Sequence, residues 1–220
     1  MTWKLRAACL GSSHQAMRGI LASMRTSLFP LLALPGFPLS EHEPLAQGFL
    51  ALGLRSFEDA ARYVWELPHG RNSDRADFRL VLPEGRGTCS TKHALLAALA
   101  RAHGQPVHLT LGIYEMHERN TPGVGAVLER EGLSGIPEAH CYLVVHQRRV
   151  DLTRKEPPGG SIAALAVFFT EERIEPEDIG APKEEKHRAF IRTWAARRKL
   201  DPERIWRVRE ACIAALGESR

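Results

Sequence analysis

The stretch Gly85-Arg86-Gly87-Thr88-Cys89 runs directly into Ser90-Thr91-Lys92-His93-Ala94-Leu95-Leu96-Ala97-Ala98-Leu99-Ala100-Arg101-Ala102-His103-Gly104, and this junction constrains the chain more than any other feature. Two glycines permit a tight turn, the residues after Cys89 are strong helix formers, and Gly104 is a natural terminator. The pattern predicts a helix that starts at a thiol. There the sulfur faces unpaired backbone N–H groups and the positive end of the helix dipole, and both favour the thiolate. Taken alone, Cys89 is equally a small apolar residue at a helix start. A histidine and an aspartate downstream change that balance.

A cysteine nucleophile needs a base for its proton, and the base needs a partner that fixes its tautomer. Ala139-His140 opens one apolar run, Cys141-Tyr142-Leu143-Val144-Val145, and Asp151 lies in the next, Arg149-Val150-Asp151-Leu152. These two runs read as a hairpin, and its register decides whether His140 meets Asp151. With Gln147-Arg148 as the turn, Val144 faces Asp151 and His140 lies about 13 Å away along the strand. With His146-Gln147 as the turn, Tyr142 faces Asp151, and His140 is its diagonal neighbour on the same face at about 7–8 Å. The second register is the expectation.

The remaining elements are read more briefly. Ser56 caps a helix over Phe57 to Leu67 that Pro68 and Gly70 stop. His69 to Asp77 is a polar loop, and Phe78 to Leu82 is a strand or a helical turn. Val107 to Glu115 alternates as a strand does, and residues 116 to 139 form a long loop with a short helix over Val124 to Glu131. After Pro157-Pro158-Gly159-Gly160 come a short apolar stretch, Ile162 to Phe169, and an acidic linker. Two helices close the chain, Lys183 to Arg198 and Asp201 to Leu216.

The cysteine block, with Leu95-Leu96-Ala97-Ala98-Leu99 and Arg101-Ala102-His103-Gly104-Gln105-Pro106 behind it, resembles the nucleophile helix of the transglutaminase-like superfamily. Ala139-His140-Cys141-Tyr142-Leu143-Val144 and Val150-Asp151-Leu152-Thr153 match that family's other two segments in order and kind. The similarity covers roughly residues 56 to 155. It implies an α+β fold with a papain-like core, in which the nucleophile helix packs on an antiparallel sheet. It also implies a Cys89-His140-Asp151 triad and cysteine-dependent acyl transfer on a peptide or protein amide through a thioester, with water as the favoured acceptor and an amine as the other. No glutamine stands shortly before Cys89, where papain-type enzymes place an oxyanion donor. The Cys89 N–H is one donor; Asn72, Tyr63 and Trp65 are candidates for the second. The substrate pocket is expected between the 116–139 loop and the segment before Cys89.

Length and composition fit this reading. The chain has 220 residues, 44% of them hydrophobic and 25% charged, ordinary values for a globular protein. Three segments are expected: a peripheral or poorly ordered 1–43, a catalytic core 44–160, and a C-terminal helical extension 161–220. A formal charge of +4 is too small to argue for nucleic acid. The basic residues of the last two helices alternate with acids, as on a solvated face. Cysteines at 9, 89, 141 and 212 form no CxxC pair, which points to a reducing compartment, the cytoplasm. No apolar run reaches the ~18 residues of a membrane helix. Cys89, His93, His140 and Cys141 mimic a zinc set, but adjacent strand residues point to opposite faces, so no metal and no cofactor is expected. The alternative to an enzyme is a binding module on the same core, with an idle triad and a basic helical surface.

Overall fold

The computed structural model describes residues 31–154 and 167–218. It is an α+β fold: among the described residues, seven α-helices surround a four-stranded antiparallel sheet. The helices are α1 (Pro44–Ala51), α2 (Phe57–Glu66), α3 (Val81–Glu84), α4 (Cys89–Ala102), α5 (Gly125–Arg130), α6 (Ala181–Ala196) and α7 (Pro202–Glu218). The strands are β1 (Val107–Met116), β2 (Ile136–Val145), β3 (Arg148–Val150) and β4 (Phe168–Arg173), in spatial order β3-β2-β1-β4.

Local sequence explains the helices that matter most. Ser56 accepts from the Asp59 N–H at the start of α2, whose buried residues Phe57, Ala60, Ala61, Val64 and Trp65 repeat at helical spacing. Thr88 and Thr91 form a capping box at the start of α4. At its other end Gly104 adopts a left-handed φ of 66°, and the N–H groups of Gly104 and Gln105 return to the carbonyls of Arg101 and Ala100. That is the Schellman closure a C-terminal glycine permits. Between these caps every residue from Ser90 to Ala100 is buried. A helix enclosed on all sides needs small or apolar residues throughout, and its alanines and leucines supply them.

β1 and β2 pair along their full length, from Val107↔Val145 to Met116↔Ile136. Side chains of Leu109, Leu111, Ile113, Ala139, Cys141 and Leu143 enter one core with α1, α2 and α4. Tyr114, Met116 and Ile136 enter a second core against α5, α6 and α7. Burying both faces of the central pair explains why β2 carries the nearly continuous apolar run Cys141–Val145, while β1 keeps His108 and Thr110 in alternation with apolar residues. β4 is the fourth strand, where the sequence suggested an acidic linker; its residues are mostly exposed edge positions, so the apolar signal of a strand is absent. Its Phe168 ring packs over Gly112, a position where any side chain would collide with it. Leu31 and Leu39 are buried in the first core, and Pro38 bridges Ser56, so this part of the 1–43 segment is joined to the body; residues 1–30 lie outside the described residues. Phe78–Leu80 is a 3-10 turn, and most of the Ile162–Phe169 stretch lies outside the described residues.

The hairpin register is the one with His146-Gln147 as the turn: Val145 pairs Arg148, Val144 pairs Arg149 and Leu143 pairs Val150. His146 and Gln147 both have left-handed φ, 47° and 65°, the geometry of a two-residue turn that usually requires Asn-Gly. Replacing His146-Gln147 by Asn-Gly is therefore expected to stabilise the fold by about 1 kcal/mol, read as a higher urea midpoint with an unchanged slope. Gly112→Ala should cost about 1–3 kcal/mol in the same assay, because the Phe168 ring has to move.

Candidate active site

β3 stops at Val150, so β2 loses its outer neighbour beyond Leu143. Helix α4 packs against β2. The backbone N–H of Cys141 is near enough to the Cys89 sulfur to favour its thiolate. His140 projects from the other face of β2, among Tyr114 and Tyr142, and its Nε2 lies 3.0 Å from Asp151 Oδ2. His140 also lies near enough to the Cys89 sulfur for the charge of each to favour the charged form of the other. With Nε2 turned to Asp151, Nδ1 is the nitrogen left to face the thiol. The residues singled out in the sequence thus stand in one row, thiol, imidazole and carboxylate. His140 lies in the middle of β2 rather than at a strand start, because β2 begins at Ile136.

Two buried polar groups on α4 fix the third member. His93 is fully buried, its Nδ1 2.8 Å from the Cys89 carbonyl and its Nε2 accepting from the Leu152 N–H at 2.7 Å. Nδ1 therefore carries the proton. Burial depresses His93 to about 4, against the pull of Asp151 at 3.7 Å, so this ring stays neutral. Lys92 Nζ donates to the carbonyls of Leu67 and Thr153 at 2.6 and 3.1 Å. Trp65 Nε1 adds a bond to the Arg154 carbonyl at 2.8 Å. The 152–154 segment is thereby tied to α4 and α2, and Asp151 has its remaining oxygen filled by the N–H and hydroxyl of Thr153.

The charges reinforce one another. Burial pushes the Cys89 thiol up, but the His140 charge and hydrogen bond, Lys183 and the Cys141 N–H outweigh it and bring the pKa down to about 6. Burial pushes His140 down, yet Asp151 and the Cys89 thiolate raise it well above its ordinary value. Asp151 resists burial in the same way: His140 and its hydrogen bond, with His93 and Thr153, hold the carboxyl far below the usual range. Near neutral pH the row carries a thiolate, an imidazolium and a carboxylate.

Cys89 opens on a cleft of about 480 Å³. One wall is the 69–76 segment; the other is made by 179–184, Trp206, Arg209 and Ile213, with Glu138 and Ala139 at the base. The 116–139 loop contributes only those last two, because its middle folds as α5 on the second core. The C-terminal helices, expected to pack on the core as an extension, also line the cleft. Arg209 of α7 grips Glu138 of β2 through two bonds of 2.7 Å, almost out of solvent, which locks that wall to the sheet. Other basic residues of α6 and α7 pair with acids: Lys186 with Glu172, Arg188 with Glu184, Arg204 with Glu131.

Of the candidate second oxyanion donors, Trp65 spends its N–H on Arg154, and Asn72 gives its amide to Glu84 and the Arg86 carbonyl. Tyr63 packs on the first core and does not line the cleft. The N–H groups of Cys89 and Ser90, first in α4, remain. His93 was visible in sequence four residues after Cys89, but only as part of a metal mimic; its clamp on Leu152 depends on tertiary contacts. Among the described residues no cluster of three or more His, Cys, Asp or Glu is arranged to hold a metal, and no helix is long and apolar enough to cross a membrane.

Searches of protein-family models, curated proteins and solved structures find no match to this chain.

His93→Ala strands the Leu152 N–H in the interior, while the Cys89 carbonyl keeps its helical backbone partner. A loss of about 1–3 kcal/mol is expected on denaturant unfolding, the cost of one unsatisfied buried group.

Proposed function

We propose that this protein is a cysteine-dependent acyl-transfer enzyme with a papain-like, transglutaminase-like core. On this reading it cleaves an amide through a thioester and passes the acyl group to water. One observation carries the proposal: His140 Nε2 sits 3.0 Å from Asp151 Oδ2, and the ring is close enough to Cys89 for its charge to draw the thiol toward thiolate. A buried ion row of this kind is costly to assemble for stability alone.

The chemistry follows from the charges. The Cys89 thiolate adds to the carbonyl carbon, and the N–H groups of Cys89 and Ser90 face the developing oxyanion. His140, as imidazolium, gives its proton to the leaving amine as the C–N bond breaks. The neutral imidazole then takes a proton from water, which attacks the thioester and releases the acid and the thiolate. Asp151 keeps the ring oriented and stabilises its charged form through Nε2.

The pH dependence has a definite sign. Cys89 is depressed to about 6, so the reactive form is lost as pH falls through that value and is present above it. Iodoacetamide labelling of Cys89 should rise with a midpoint near pH 6, well ahead of Cys141 and Cys212. His140→Ala removes the stabilising cation and should move the midpoint toward the ~8.5 of an ordinary thiol, which slows labelling at neutral pH about thirtyfold. Cys89→Ser should abolish turnover of amide substrates. Equal labelling of all the cysteines would favour the binding-module alternative.

A further inference from the structure

The cleft walls carry several charges, and nearly all are matched. Arg71 pairs with Glu210 at 3.0 Å, Arg75 reaches Glu184 at 4.0 Å, and Arg209 holds Glu138. Glu184 is itself bound by Arg188 at 2.8 Å. Asp74, on the exposed rim, accepts from the Ala76 N–H. Lys183 differs. It lines the cleft from the first turn of α6, half-buried, and among the described residues no carboxylate lies within ion-pair distance of it. It lines the same cleft as Cys89, Glu138 and His187, and its charge is felt at all three.

An ammonium drawn partly out of water with no carboxylate partner has lost hydration that no direct ion pair returns, and the Cys89 thiolate it also feels is shared with the His140 imidazolium. A ligand that brings one negative charge restores the balance. The neighbouring acids cannot do so, because Glu138 and Glu184 are already held by arginines. A single positive charge without a paired carboxylate suits a monoanion such as a carboxylate better than a phosphate monoester, which carries close to two charges at neutral pH. Around it, Ala139, Ile179, Trp206 and Ile213 give the cleft an apolar complement for the rest of the molecule.

We propose that Lys183 is the specificity determinant of this cleft, and that the substrate is an amide bearing a carboxylate close to the scissile carbonyl. This inference rests on the acyl-transfer reading of Cys89. On binding, the substrate carboxylate docks on the Lys183 ammonium and places the carbonyl carbon over the sulfur. Lys183 positions the substrate; it transfers no proton and forms no bond.

Paired alkylation tests this without knowledge of the natural substrate. Iodoacetate and iodoacetamide are near-isosteric and differ by one negative charge, and each adds to a thiolate with loss of iodide. Rate constants for Cys89 are read by mass spectrometry of its peptide, with glutathione as the free-thiol reference. The iodoacetate-to-iodoacetamide ratio should exceed that of glutathione. It should fall about five- to tenfold in Lys183→Gln, the effect of one unit charge a few ångströms away in a wet cleft. Lys183→Arg should retain the ratio, and Lys183→Glu should drive it below the Gln variant. The attraction of the His140 imidazolium is common to all these variants and cancels in the comparison. If Lys183 only tuned the thiol, both reagents would slow together, and an unchanged ratio at a still-reactive Cys89 overturns this inference alone. A Cys89 no faster than Cys141 or Cys212 with iodoacetamide overturns the acyl-transfer reading, and this inference with it.

Discussion

Burial of α4 on every side is the constraint to which the rest of the site is indexed. A helix packed from Ser90 to Ala100 has no free direction in which to slide, so its first residue, Cys89, is held as firmly as the core. The same enclosure forces its polar residues to find partners inward. Lys92 and His93 find them on the 152–153 backbone, and this brings Asp151 to rest beside His140. A packing requirement in the helix becomes a positional requirement in the site.

Three ionisable groups in a row inside a protein ordinarily oppose one another through desolvation. Here each partner's charge favours the ionised form of the next, so the sulfur is driven toward thiolate while the ring and the carboxyl stay charged. His93 shows the contrasting outcome on the same helix. It is equally buried and also close to Asp151, but it donates to a carbonyl and accepts from an N–H, so burial prevails and it stays neutral. Two histidines beside one aspartate are thus assigned different charges by their other contacts. The proposed chemistry uses one of them, and the architecture uses the other.

Much of this was legible in the sequence because it is local. The caps of α2 and α4 and the alternation of β1 depend on near neighbours. The hairpin register was one of two that the sequence allowed, preferred because it brings His140 beside Asp151, and His146-Gln147 is an unusual pair for such a turn. Cys89, His140 and Asp151 were readable as residue types in chain order. The composition of the cleft was not, because it is assembled from segments more than a hundred residues apart. Nothing local to Arg209 or Lys183 indicates that they face β2, and a helix with alternating charges looks the same whether it borders a cleft or only solvent. β4 was hidden for a related reason: an exposed edge strand paired on one side has no apolar period to reveal it.

The central claim is that Cys89 is ionised at neutral pH because His140 is charged beside it. Ultraviolet thiolate absorbance, taken as the difference between the protein and its Cys89→Ser variant across a pH titration, measures this ionisation with no reagent and no substrate. The account predicts a single step, one thiolate in size, centred near pH 6. A step at ~8.5, the value of an isolated thiol, would mean that the imidazole lends the sulfur no charge, and the account would be wrong.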